Sequence, residues 1–195
     1  MNAARASRSP QGLERFLYKR ATLDDLEKLG LASHKPKGTP SGGGARDVRI
    51  RPWSKFEPVV RKMFPDIVET RGKECRACYL HWHEGIEMKM ESTRVRCCPP
   101  SGARGDEGWI AESYKIPAFT NDLPQGPDPP VFFFICQDDE GTTWGGWMKE
   151  ADLRAGRWHS DVAQPVLDNL AAARVGATIR GYVDFVYGSE EHFHG

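Results

Sequence analysis

Along most of this chain apolar and polar residues alternate with the period of a β-strand, and helical spacing is confined to a few stretches. The run Val131-Phe132-Phe133-Phe134-Ile135-Cys136 is continuously apolar, the pattern of a central strand covered on both faces. A second strand is expected at 143–148, with Gly145 and Gly146 where neighbours approach closely. Residues 75–83, 85–90 and 93–98 each read as a β segment, with Ile86, Met88 and Met90 on one face of the second. A strand around 108–116 leads into a proline-rich turn at 124–130, and a last strand spans 178–187. Residues 12–20 suit either a short helix or a strand.

Three helices are expected. Thr22 caps one over 23–29, with Asp24 and Asp25 in its first turn and Gly30 as its stop. Ser54 and Glu57 have capping-box spacing for a second, which carries Phe56, Val59, Val60 and Met63. Ser160 or Asp161 starts a third, running to about Arg174 with Val166, Leu167, Leu170 and Ala171 as its apolar stripe. Six to eight short strands with a few helices predict a mixed β-rich barrel or sandwich. Residues 1–11 read as a disordered tail, 12–188 as a single domain, and 189–195 as a polar tail or linker, with His192-Phe193-His194 an exposed end.

Charge changes this picture at one place. Residues 1–65 hold 14 Lys and Arg against 6 Asp and Glu, whereas the rest holds 13 against 21. Within the basic part, three consecutive glycines at 42–44 precede Arg46-Asp47-Val48-Arg49-Ile50-Arg51. Val48 and Ile50 share one face of that strand and three arginines crowd the other, before Pro52 ends it. A strand anchored by aliphatics and carrying arginines outward suits an anionic partner, and such a basic face backed by an acidic body is the electrostatic footprint of a nucleic-acid binder. A second glycine- and charge-bearing loop, through about residue 107, mixes Ser101, Arg104, Asp106 and Glu107; Trp109, Glu112, Tyr114 and Lys115 come after it. Arginine forks fit guanine O6 and N7, and acids accept from cytosine amino groups, so a mixed-charge face suits base reading better than phosphate contact alone.

Other chemistries compete. No apolar run approaches the length of a membrane span, and the N-terminus lacks the apolar block of a secretory signal. Five cysteines, an odd number, point to a reducing cytoplasm and buried thiols in preference to a disulfide framework. Cys75-x-x-Cys78 with His81, His83, Cys97 and Cys98 raises zinc, but Cys75 and Cys78 point to opposite faces of a strand and the second pair is adjacent. Pro65-Asp66 with a later Glu87-Met88-Lys89 has the order of a metal-dependent PD-(D/E)xK nuclease, in which two carboxylates hold the metal and the lysine steadies the attacking water. That set, Asp66, Glu87 and Lys89, is the alternative function.

The order of features also resembles a known family. A tyrosine directly before Lys19-Arg20, a glycine-rich lead, a strand ending Ile50-Arg51-Pro52 and a helix closing on Met63-Phe64-Pro65 resemble the N-terminal effector domain of EcoRII-type restriction endonucleases. The likeness continues through the 77–98 strand pair, the Glu112-to-Phe119 segment, the apolar strand at 131–136 and the helix at 161–174, covering most of residues 16–176. The resemblance implies a DNA-binding pseudobarrel like the plant B-three domain, an open barrel of seven to eight strands with two or three short helices. It implies two arms in the major groove, Ser41 to Arg51 and about Ser101 to Lys115, with Lys19 and Arg20 beside the backbone and Trp53 next to the first arm. The first arm departs from the family in having Gly and Arg where His and aromatic residues stand, and the second is less basic. A chain of this kind is expected to be a cytoplasmic monomer that binds double-stranded DNA at a short G·C-rich, CC(A/T)GG-type site. It would have no active site, cofactor, metal or membrane contact, and would license cleavage by the nuclease domain of the same enzyme.

Overall fold

A computed structural model describes residues 12–30, 47–70, 72–84, 88–102 and 105–195. The apolar run at 131–136 lies in β7 (Val131–Asp138), and the strand order arises from its need for cover on both faces. β1 (Leu13–Arg20) pairs with it on one side and β8 (Thr143–Lys149) on the other, both antiparallel. Phe133 and Ile135 point into one core, shared with Leu17, Leu80, Val95 and Ile110. Phe132, Phe134 and Cys136 point into a second, with Phe16, Tyr18, Met148 and Trp158.

The remaining strands extend this centre in both directions. β4 (Lys73–Glu84) runs parallel to β8 over Leu80–Thr143 and His81–Trp144, and β5 (Lys89–Cys98) folds back on β4. β6 (Gly108–Ala111) and β2 (Val48–Ile50) continue beyond β5, while β3 (Asp66–Thr70) pairs with β4. On the other side, β9 (Ile179–Asp184) pairs with β1, and β10 (Ser189–His194) with β9. The result is a ten-stranded mixed sheet, curled into a half-barrel. Gly145 lies where a Cβ would meet Leu80 of β4 at 2.8 Å, the close approach expected of that position.

Helices fill both sides of the curl. Helix α2 (Trp53–Met63) places Phe56, Val59, Val60 and Met63 inside, each at most 1% exposed. Phe56 meets Tyr182 of β9 and Phe193 of β10 at ring distances of 5.7 and 5.5 Å, and Trp53 lies against Gly108 of β6, so α2 bridges the two ends of the sheet. α1 (Leu23–Gly30) is capped as expected: Thr22 Oγ1 accepts from Asp25 N at 3.1 Å. Two short helices, α3 (Pro117–Thr120) and α4 (Glu150–Arg154), lie against β8. On the outside, α5 (Ser160–Ala172) covers the second core with Val162, Ala163 and Val166. No helix among the described residues is long and apolar enough to cross a membrane.

Several expectations are corrected. Of the strand expected at 85–90, residues 85–87 lie outside the described residues; Met88 has φ 54°, a left-handed turn residue, and Lys89 and Met90 belong to β5, with Met90 58% exposed. The strand expected at 108–116 ends at Ala111 and gives way to a 3-10 turn at Ser113–Lys115. Ser54 does not start α2; its amide and hydroxyl donate to Asp106 at 2.7 and 2.6 Å, so a distant carboxylate replaces the local cap. Residues 189–194, read as a polar tail, are β10. Its alternation is not apolar, and Asn169 of α5 supplies the missing reason for docking. This 5%-exposed amide donates to Tyr18 Oη at 2.8 Å, to Arg180 O at 3.2 Å and to Phe193 O at 3.4 Å. Ala171, placed in the apolar stripe, is exposed, and Asn169 is buried in its stead.

The cysteines are the other correction. Cys75 and Cys98 stand directly across the β4–β5 ladder, Cα atoms 4.4 Å apart, and are joined by a disulfide. Cys78, Cys97 and Cys136 are buried thiols. Burial pushes Cys78 and Cys136 up to about 12, and Cys97 higher still, which keeps them as unreactive thiols at neutral pH. Peptide mapping of native, non-reduced protein is expected to recover Cys75 and Cys98 in one linked fragment, with the other three alkylated only after unfolding. Replacing Asn169 by Leu should lower unfolding free energy by about 1–3 kcal/mol in urea, because it strips the partner from Arg180 O, Phe193 O and the Tyr18 hydroxyl.

Candidate nucleic-acid interface

The short ladder between β2 and β6 joins the roots of both expected arms. Val48 pairs with Ile110, Arg49 with Trp109 and Ile50 with Gly108. Val48, Ile50 and Ile110 are at most 3% exposed and anchor the ladder in the core. The buried Ser113 hydroxyl locks it further, accepting from Val48 N at 2.9 Å and donating to Ile110 O at 2.6 Å. Because the strands are antiparallel, the chain enters β2 from Asp47 at one end and β6 from Glu107 at the other. Asp47 to Arg51 spans roughly 13 Å of extended chain.

Register assigns the outward face. Arg49 lies opposite Trp109 and Trp109 opposite Cys98; Arg96 lies between Ala111 and Ala77; Arg94 lies opposite Tyr79. Tyr79 is 58% exposed, so this face of β2, β6, β5 and β4 looks to solvent. The Arg49 guanidinium sits 5.6 Å from the Trp109 ring centre, and the Lys73 ammonium 5.9 Å from the same ring. One indole thus carries two cations.

Acids steer these cations instead of neutralising them at random. Glu107, only 3% exposed, takes Arg49 at 3.3 Å and also pairs with Arg51. Glu112 accepts from Arg96 at 2.6 Å and from Lys115 at 2.5 Å, and the Lys115 hydrogen bond is the main cause holding its carboxyl below the usual range. Asp47 Oδ1 accepts from Glu112 N at 2.8 Å, tying the base of the first arm to the end of the second. Asp66 holds Arg94 at 3.3 Å. Tyr114 lies next to Lys115, whose ammonium is 5.5 Å from its ring.

The structure therefore brings Asp47, Arg49, Arg51, Glu107, Trp109, Glu112, Tyr114 and Lys115 around one ladder. Ser101 is half-buried in the loop after β5. Ser41, Arg46 and Arg104 lie outside the described residues, as does Glu87. Other expected contacts take structural positions. Trp53 is buried, its ring filling the space that a Cβ on Gly108 would need. Asp106 caps α2. Lys19, expected beside a DNA backbone, is 8% exposed and donates to Asp25 at 2.7 Å. Arg20 pairs with the exposed Asp128 at 3.1 Å. Lys73, Arg94, Arg96 and Tyr79 also lie on this face, and the alternation of 93–98 already puts Arg94 and Arg96 on one side.

The nuclease set does not assemble. Asp66 lies opposite Ala77 and Lys89 opposite Glu84, seven residues apart along β4 and so roughly 23 Å distant. The zinc set fails too: two of its cysteines form the disulfide, and among the described residues no group of three or more His, Cys, Asp or Glu is placed to hold a metal ion.

The Lys19–Asp25 pair generates a test. Burial pushes the Asp25 carboxyl up, but the Lys19 ammonium and the Thr22 donors outweigh it and hold the group below its ordinary value; Lys19 is itself lowered by burial. A depressed folded carboxyl stabilises fully above its unfolded value of about 3.9, and that contribution is lost as pH falls through the folded value. Asp25→Asn keeps an acceptor for Thr22 but leaves a buried ammonium unpaired. It should cost about 3–5 kcal/mol near neutral pH and remove this acid limb from a stability–pH profile measured by denaturant unfolding. No family model, curated protein or solved structure matches the chain, so its functional reading rests on these residues.

Proposed function

We propose that this chain is a double-stranded-DNA-binding domain, the target-recognition part of a restriction endonuclease whose nuclease domain is a separate unit, and that it reads a short G·C-rich site. The single observation that carries the reading is the ladder of β2 and β6, which sets Arg49 beside Trp109 and ties both arms to one rigid outward face. The ladder's roughly 13 Å span is close to the ~12 Å width of a major groove, so segments leaving its two ends suit entry into one groove. Glu107 fixes the fork of Arg49, and a fork fixed in advance loses less freedom on meeting guanine. Lys73, on the same face, suits phosphate contact.

A second reading has its own support. Trp109 and the exposed Tyr79 lie on one sheet face among arginines, a combination that also suits stacking of unpaired bases.

Fluorescence anisotropy with labelled CC(A/T)GG and scrambled duplexes, and with one of their single strands, separates the two. The duplex reading expects preference for the site-bearing duplex. Arg49→Ala should then lose about 1–3 kcal/mol for that duplex alone, whereas Lys73→Ala should weaken both duplexes alike and reduce the salt slope by about one. Tighter binding of the single strand, lost in Tyr79→Ala, selects the second reading. No binding to any of the three probes rejects both.

A further inference from the structure

Beyond Arg51 the outward face continues into an open cleft of about 610 Å³, between the end of β2 and strands β9 and β10. Arg51, Asp106, Arg180, His192, Phe193 and His194 line it. None of Arg180, His192 or His194 belongs to the expected arms. We propose that this cleft is a phosphate-binding site, with the Arg180 and Arg51 guanidinium groups as the ligands of the anion and the two imidazoles in its wall.

The cleft brings two guanidinium groups together. Arg180 Nε donates to the main-chain oxygen of Arg51, and Nη1 to Thr178 O at 3.2 Å. Among the described residues no carboxylate stands within ion-pair distance of Arg180. Its guanidinium is instead close enough to that of Arg51 to be destabilised by it: burial first, and then repulsion from Arg51, lower its pKa. Arg51 shares its carboxylate, Glu107, with Arg49. The lining acid, Asp106, has both oxygens engaged by Ser54 at the start of α2. Of the nearby acids, Glu191 pairs with Lys55 at 3.3 Å, and Glu190 stands 3.4 Å from His192 Nε2, a contact that is an ion pair only when the imidazole is protonated. Two guanidinium groups thus share a half-open space whose lining holds one carboxylate, Asp106, with both oxygens turned to Ser54.

The walls are rigid. Tyr18 Oη lies 2.9 Å from His192 Nδ1, and Asn169 Oδ1 lies 3.3 Å from His194 Nδ1, so the buried Asn169–Tyr18 pair orients both rings. Phe193 packs on Phe56 between them. A Cβ on Gly181 would stand 2.7 Å from His192 Nδ1 and 2.8 Å from Tyr18 Oη, so the packing leaves this arrangement no slack. The guanidinium groups, one from the end of β2 and one from β9, thus face one opening, with the imidazoles of β10 in its wall. Arg forks match phosphate oxygens two at a time. The phosphate chemistry stands independently of the duplex reading; only its source, a nucleic-acid backbone or a free phosphate monoester, is linked to it.

The test uses the full chain. Isothermal titration with inorganic phosphate, at ionic strength held constant with chloride, is expected to show saturable binding that weakens at least tenfold in Arg180→Gln and is partly retained in Arg180→Lys. Because Arg180→Gln also removes two hydrogen bonds to main chain, imidazole resonances of the unmutated protein give a second measurement. Phosphate should move the signals of His192 and His194 and leave those of His81 and His83 in place. No saturable binding, unmoved His192 and His194 signals, or equal affinity in Arg180→Gln would each overturn the site. Labelled site-bearing duplex then identifies the source. Affinity falling in Arg180→Gln in step with phosphate affinity assigns a backbone phosphate. Duplex affinity unchanged while phosphate binding is lost assigns a free phosphate monoester. Phosphate binding without any duplex binding leaves the site standing and rejects the duplex reading alone.

Discussion

β7 must be covered on both faces, and the rest of the molecule is arranged to do it. Phe132 and Phe134 point one way and Phe133 and Ile135 the other, all at most 2% exposed. A strand of this kind cannot tolerate solvent on either side, since each buried aromatic contributes on the order of 2–3 kcal/mol of transfer free energy. On one side the sheet itself curls over, and α2 fills the hollow. On the other, Trp158 meets Phe134 edge-on at 5.1 Å and α5 closes the layer. The half-barrel is thus a sheet bent until one half of β7's side chains is enclosed, with helices sealing what bending cannot.

Curling brings distant parts of the chain together and so creates the cleft of the proposed phosphate site. Strands β9 and β10 come round to the end of β2, where Arg180 donates to the carbonyl of Arg51. That cleft would not exist in a flat sheet. Asn169 holds this closure. A buried amide with three acceptors around it is costly to leave unsatisfied, so α5, β9 and β10 dock in one register. The same closure orients His192 and His194, which places a structural hub directly behind the proposed phosphate cleft.

On the outward face the decisive feature is how acids are used. A buried Glu107 between Arg49 and Arg51, and Glu112 between Arg96 and Lys115, leave the cations in fixed directions on a rigid ladder. The Glu112 pairs are exposed and add little stability, so their consequence is geometric. Arginines whose directions are set before the ligand arrives discriminate by shape as well as by charge. Lys19, by contrast, is drawn inward by Asp25 and serves α1, so neighbouring cations in sequence can have unrelated roles.

Period and punctuation in the sequence alone determined the centre of the fold: the two-faced burial of β7, the Gly145 of β8 that admits Leu80, the Thr22 cap, and the inward Val48 and Ile50 beneath an outward Arg49. These are local matters, decided by alternation and by backbone limits within a few residues. Tertiary structure decided whatever depends on partners far along the chain. Met88 took a left-handed turn conformation against its alternation, the polar 189–194 pairs with β9 as a strand beside the Asn169 donor, and Asp106 displaced the local cap of α2. The pairing of Cys75 with Cys98 needed the β4–β5 register, and the same register separated Asp66 from Lys89. Charge along a sequence shows how many cations a segment carries, but only three-dimensional packing shows which ones, like Lys19, are already paired and which, like Arg180, still lack a carboxylate partner among the described residues.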